Sequence, residues 1–264
     1  MKKFIIFLFF ILIITFLYSR YIDNKEVMVN EYLVINENIP EKMNGLKIVQ
    51  FSDLLYDEKD GIDILTKACN KINEQKPDVV VYTGDLTKLG GKIQNEEEVI
   101  LILNNIEANV GKYAILGDYD YTNVPELWEK SGFKLLDNFS EYIFKDDPTP
   151  IVITGGDNLS NDILPSKNKI NYNFVIGLIH KPDDFDKYKD TDINLFLAGH
   201  SLGGQVRIPL IGPILKQDGA KTYIDEKYNH DGKLLYVNFG LGYDKYHIRF
   251  LDRPSINLYR LYNK

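Results

Sequence analysis

One cysteine, Cys69, stands in the whole chain. That excludes an intramolecular disulfide and any cysteine-based zinc site. Its setting among helix-spaced apolar residues reads as a plain buried thiol. No basic run occurs either: 31 lysines and arginines face 38 aspartates and glutamates, a formal net charge of −7. A surface that reads nucleic acid needs a basic footprint, so nucleic acid is not an expected partner. Histidine is scarce, at four residues, so the placement of each one is informative. There is no internal repeat and no low-complexity tract. The single long apolar run is at the start, from Phe4 to Tyr18, behind Lys2 and Lys3 and ahead of Ser19 and Arg20. No small-x-small cleavage site follows it, and no cysteine for lipid attachment. Residues 1–20 therefore read as an uncleaved signal-anchor, a membrane helix with a cytoplasmic N-terminus. The expected location is the cell membrane, single-pass, with the globular part outside the cytoplasm.

The full 264 residues are 44% hydrophobic and 26% charged, an ordinary globular composition able to bury a sizeable core. Residues 21–45 read as a linker and first strand, near Glu31–Asn36, and residues 46–264 as one domain. Within that domain, strand and helix patterns alternate. Lys47–Asp53, Val79–Asp85 and Lys112–Asp118 are compact apolar runs, with helical spacing in Ile62–Gln75 and Glu96–Asn105 between them. Asn173–His180 and Leu195–His200 are two more buried-type strands. The tail turns to strands alone: Gln205–Pro209, Leu234–Asn238, His247–Leu251 and Ser255–Leu261. The pattern predicts a layered α/β sandwich with mixed sheets.

Ligand sites in α/β sheets collect at the carboxyl ends of strands. Five of these strands end in Asp53, Asp85, Asp118, His180 and His200. Carboxylates and imidazoles of this kind are the donors that zinc, manganese or iron take in hydrolases. Gly84, Gly117 and Gly199 precede three of them, where a backbone must pass close to a site.

The segments LKIVQFSD, PDVVVYTGD, KYAILGDYD, GLIHKPD and LFLAGHSLGGQVRIP, in this order, resemble the five signatures of the calcineurin-like metallophosphoesterases. The likeness is nearest to a bacterial membrane-associated group that includes UDP-2,3-diacylglucosamine hydrolases. It extends through Val237–Gly242 to the closing IRFLDRPSI. The resemblance implies a four-layer α-β-β-α sandwich of two mixed sheets. It also implies a hydrolase of phosphate ester or pyrophosphate bonds, acting on a phosphorylated small molecule or a lipid-linked phosphate. In such enzymes two metal ions share a bridging Asp, here Asp85. Three motifs depart from the family pattern. Asp-x-His is here Asp53-Leu54-Leu55, Gly-Asn-His-Asp is Gly117-Asp118-Tyr119-Asp120, and Gly-His-x-His is Gly199-His200-Ser201-Leu202. Leu55 and Leu202 cannot ligate, so the first metal keeps only Asp53 and Asp85. The second keeps Asp85, Asp118, His180 and His200, and one ion (Mn, Zn or Fe) is expected rather than two. Tyr119 stands at the position of the catalytic histidine, a poor general acid at neutral pH, and Asp120 at that of its orienting acid. Arg207 is a candidate contact for a substrate phosphate. His230 and His247 read as surface or strand histidines.

Two other readings stand beside this one. The same departures suit a catalytically degenerate domain that serves as a surface binding or scaffold module. Gly199–Gly203 also fits G-x-S-x-G, the nucleophile elbow of serine esterases. However, the alternating segment Gln205–Pro209 follows Ser201 where a helix should begin.

Overall fold

The computed structural model describes residues 2–21, 25–88, 91–120, 124–145, 148–168 and 170–264. In chain order the strands are β1 (Met28–Ile35), β2 (Leu46–Phe51), β3 (Val79–Thr83), β4 (Gly111–Ile115), β5 (Lys134–Leu135), β6 (Phe139–Ile143), β7 (Ile151–Gly155), β8 (Val175–Leu178), β9 (Leu195–Ala198), β10 (Arg207–Ile208), β11 (Gly212–Pro213), β12 (Lys227–His230), β13 (Lys233–Val237) and β14 (Ser255–Tyr262). The helices are α1 (Lys2–Tyr21), α2 (Gly61–Gln75), α3 (Glu96–Asn104), α4 (Val124–Lys130) and α5 (Phe185–Tyr188).

Two six-stranded mixed sheets form the centre, ordered β1-β14-β2-β3-β4-β5 and β12-β13-β9-β8-β7-β6. Val79, Val80 and Val81 of β3 and Leu195, Phe196 and Leu197 of β9 are wholly buried. They are unbroken apolar runs because both faces of each strand are covered. One core lies between the sheets, around Ile48, Val81, Ile176 and Leu197. A second lies between the first sheet and α2, α3 and α4, where Leu65, Ala68, Cys69 and Ile72 share the inner face of α2. A third covers the outer face of the second sheet around Phe185 and Phe196. These are the four layers that the family resemblance implies, and they agree with the layered α/β sandwich of mixed sheets that the pattern predicts. The outermost is thin, since among the described residues its only α-helix is the four-residue α5.

The topology places the site. Strands β2, β3 and β4 run parallel, and so do β7, β8, β9 and β13. The carboxyl ends of both parallel sets open on the same end of the sandwich. The edge strand β1 runs parallel to β14 and antiparallel in sense to β2, so Met28 begins at that same end.

Two elements of the tail differ from the sequence pattern. The segment read as a strand over Gln205–Pro209 is extended only at β10, in a hairpin with β11. His247–Leu251 forms a single bridge, Val206 with Phe250, in place of a strand. There the wholly buried Arg249 turns inward and donates to the carbonyls of Phe239, Gly240 and Gly242. This fastening replaces a strand ladder.

Among the described residues no helix is long and apolar enough to cross a membrane. The uninterrupted apolar run of α1 amounts to about 22 Å of helix against about 30 Å of hydrocarbon in a bilayer. Phe4, Ile6, Phe7, Phe9, Phe10, Ile14 and Phe16 of α1 are nevertheless exposed. Its C-terminal turn rests on the domain, where Ser19 Oγ donates to the Arg249 carbonyl at 2.7 Å and Arg253 donates to the Tyr18 hydroxyl at 3.2 Å.

Candidate metal centre

Asp85, His180 and His200 converge at the shared end of the two sheets. One ligand atom from each lies within 4.8 Å of the others, and all three residues are buried. His180 Nε2 is 3.0 Å from Asp85 Oδ2 and 3.1 Å from His200 Nδ1. Ligands held about 2.0–2.1 Å from a tetrahedral ion are separated by roughly 3.3 Å, so the spacing suits a metal with little movement.

The two imidazoles are backed so that their free nitrogens face inward. His180 Nδ1 is 2.8 Å from the Thr83 carbonyl, and His200 Nε2 is 2.7 Å from the Asp218 carbonyl. Each carbonyl fixes an N–H on the outer nitrogen and leaves the inner one to coordinate. Gly84, at φ +95°, permits the approach: a Cβ there would meet His180 Nδ1 at 2.5 Å.

The electrostatics show how much positive charge this pocket wants. Burial opposes a charge on His180, but Asp85, Asp53 and the Thr83 carbonyl outweigh it and push the imidazole up to about 10. Asp85 is buried too, yet His180 holds its carboxyl below the ordinary range. Burial, then the charge of His180, lowers His200. A divalent ion would take over the role of the His180 proton. The residues present therefore fit a divalent metal.

The other half of the cleft keeps the backbone of a ligand site without the ligands. Asp53, Leu55, Asp85, His200 and Leu202 all adopt left-handed φ, between +44° and +65°. That conformation is rare for leucine. Leu55 and Leu202 are almost wholly buried and lie against the Val237–Gly242 loop. A Cβ on Gly240 would fall 2.7 Å from Asp53 Cβ and 3.0 Å from Leu202 Cδ2. Asp53 Oδ2 accepts the His200 backbone N–H at 2.8 Å. Burial raises this carboxyl to about 7, against the opposing charge of His180 and with the help of Asp85. Arg249 holds the loop down, and the loop in turn bonds the Asp53 carbonyl through the N–H groups of Leu241 and Gly242.

Asp118 sits at the rim rather than in the three-residue cluster. It is about a third exposed and pairs with Lys181 Nζ at 2.8 Å. Lys181 escaped the sequence reading, although its place directly after His180 at a strand end was a usable signal. Tyr119 lines the open cleft of about 620 Å³ with Asp118, Lys181, His200 and Asp244. Its N–H donates to Asp85 Oδ1, and burial, followed by nearby carboxylates, raises its phenol. Asp120 is buried and accepts the N–H groups of Gly117 and Thr87, which ties the third motif to the second. Burial lifts its carboxyl to about 6. Arg207 is engaged by Asp225 and the Gly203 carbonyl. Ser201 Oγ is buried and accepts the Gly203 N–H, and a 3₁₀ turn over Leu202–Gly204 follows it. That is not the strand-to-helix elbow of an esterase. His247 lies 3.6 Å from Asp57 in a half-buried group with Asp60, and His230 is exposed beside Asp231.

The model of the calcineurin-like phosphoesterase family matches residues 46–219, which contain all five strand-end residues. The chain belongs to the calcineurin-like phosphoesterase family. Members are metal-dependent hydrolases of phosphate ester bonds. A metallophosphoesterase of Bacillus subtilis, YkuE, is 32% identical over 92% of this chain and 88% of its own length. The UDP-2,3-diacylglucosamine pyrophosphatase LpxG of Chlamydia muridarum is 27% identical over 84% of this chain and 86% of its own. The phosphodiesterase YaeI of Escherichia coli is 24% identical over 81% and 82%.

Proposed function

We propose that this calcineurin-like phosphoesterase works with a single metal ion on a phosphate ester or pyrophosphate, and that α1 anchors it with the domain outside the cytoplasm. The observation that carries the single-metal reading is the contrast inside the cleft. Asp85, His180 and His200 converge, with the outer nitrogens of the two imidazoles held by carbonyls, while the buried Leu55 and Leu202 offer no donor. An ion held by these three residues, with Asp118 or Asp53 as a further oxygen donor, would supply a water of lowered pKa and charge for a phosphoryl oxygen. Lys181 at the rim adds a fixed positive charge for a substrate phosphate. Tyr119, raised rather than lowered, is suited to donating a hydrogen bond and not to giving up its proton.

The name of LpxG supports a lipid-linked pyrophosphate as one substrate class, and that of YaeI a phosphodiester. The anchoring reading rests on the exposed phenylalanines and isoleucines of α1. Lys2, Lys3 and Arg20 at its ends are able to snorkel across the shortfall in length. Metal analysis joined to a hydrolysis panel tests the reading: an aryl phosphate, an aryl diester and a sugar-nucleotide pyrophosphate, each with and without manganese. About one bound equivalent and metal-dependent turnover of one class are expected. Bound metal with no turnover on any class would favour the binding-module reading, and no metal at all would end the enzyme reading.

A further inference from the structure

Nothing in the chemistry of the site accounts for the hairpin that follows it. Ile208–Leu215 carries Ile208, Leu210, Ile211, Ile214 and Leu215 on a two-strand hairpin, and all five are exposed. Leu210 at the tip is fully exposed, and Ile211 is 72% exposed. A soluble surface seldom shows so much aliphatic area in one place. Its position is as informative as its composition. The base of the hairpin is bonded to the 249–253 segment, through Arg207 N–H to the Phe250 carbonyl and Phe250 N–H to the Gln205 carbonyl. The same segment receives the C-terminal turn of α1 at Ser19 and Tyr18. Leu251 borders both the groove beside Tyr18 and the groove beneath Leu210 and Ile211. On its other side the hairpin contributes Ile214, Leu215 and Lys216 to the wall of the metal cleft, beside His200. Lys216 directly follows the apolar stretch, and Lys245 lines the same cleft wall as Ile214 and Leu215, on a chain whose net charge is −7.

We propose that the β10–β11 hairpin is a second membrane contact: its tip dips into the interface of an anionic bilayer and sets the mouth of the cleft against the lipid surface. The inference rests on the anchoring role of α1. A helix leaving the bilayer at Arg20 brings the 249–253 segment to the headgroups, and the hairpin springs from that segment. Apolar residues at the tip with lysines behind them match the layering of an interface, acyl chains below and anionic headgroups above.

Depth-resolved fluorescence on the full chain tests this. Cys69 is buried, and burial pushes its thiol up to about 12, so it stays silent to a thiol dye. Leu210→Cys and, separately, Ile211→Cys take an environment-sensitive label. Glu37→Cys is the control, because Glu37 is exposed in the turn after β1, at the opposite end of the sandwich. The proteins are reconstituted into phosphatidylcholine vesicles with and without phosphatidylglycerol. Blue-shifted emission at both tip positions is expected, quenched by nitroxides placed shallowly on the lipid, stronger with the anionic lipid, and absent at position 37. Solvent-like emission at 210 and 211 would overturn the proposal. So would a blue shift that tracks protein concentration and ignores lipid quenchers, which would mean a second copy on the hairpin. Carbonate extraction of the same vesicles reads α1 alone: resistance with a solvent-exposed tip would leave the anchor standing and remove only the hairpin contact.

Discussion

The two halves of the cleft share one backbone and differ in what hangs from it. Asp85 and His200 adopt the same left-handed φ as Leu55 and Leu202. On one side that geometry aims donors at a common point. On the other it holds aliphatic side chains in conformations that cost of order 1 kcal/mol each. A ligand-bearing loop is thus specified separately from its ligand. Asp53 shows the consequence: it keeps its hydrogen bond to His200, but burial outweighs the opposing charge of His180 and raises its carboxyl to about 7.

The contrast is sharpest for ligand removal. His180→Ala and His200→Ala should each abolish bound metal and lower turnover at least ~100-fold, more than the loss of a supporting residue brings. Asp53→Asn should cost less than about tenfold. Equal losses from Asp53→Asn and His180→Ala, read as metal equivalents and kcat/KM, would erase the difference between the halves. Restoring the missing donors is the converse test. Leu55→His with Leu202→His should raise bound metal from about one equivalent to about two, because the backbone is already in place and histidine tolerates positive φ better than leucine. Either single change should leave the stoichiometry at about one.

The intact half should also be the pH-sensitive one for metal. His180 binds its proton up to about 10, and that proton must leave for coordination. Metal affinity should therefore rise about tenfold per pH unit from the neutral range towards pH 10, as measured by competition with a chelator of known affinity. A flat profile would mean that His180 is not a ligand.

In the metal-free protein the emptied half should carry a stability slope of its own. Asp53 is raised from 3.8 to about 7, so between those values the folded chain holds a proton that the unfolded chain has released. Its contribution is complete below about pH 4 and is lost as pH rises through about 7. Asp53→Asn cannot ionise, so it should remove that slope. The urea midpoint at pH 8 should then rise, by an amount on the order of 1–2 kcal/mol in stability, with little change at pH 5. The smallest effect is expected at the rim. Asp118→Asn breaks only a pair with Lys181 that is about a third exposed, worth at most about 1 kcal/mol, and restores the amide of the family motif it resembles. Loss of all metal on this change would move Asp118 into the cluster.

Much of this was legible in the chain. Apolar runs that end in Asp or His marked the strands and their carboxyl ends, because strand periodicity and turn chemistry are local properties, while the family followed from the likeness of five whole segments. The leucines at 55 and 202 could be read as missing donors from the resemblance to the family's motifs. Less local features were not legible. The extended reading of His247–Leu251 failed because Arg249 finds its partners in the carbonyls of 239–242, a contact that no alternation encodes. Asp118 reads as a ligand in sequence, yet its carboxylate turns to Lys181 from a neighbouring loop.

The sequence by itself determined which residues reach the end of the sandwich, since each is fixed by the strand that precedes it. Only the tertiary structure decided which of them meet. The His180–His200–Asp85 convergence, the Thr83 and Asp218 carbonyls behind the rings, and the hairpin beside the foot of α1 all depend on how two sheets pack. Packing is a property of surfaces far apart in the chain, and side-chain direction follows it.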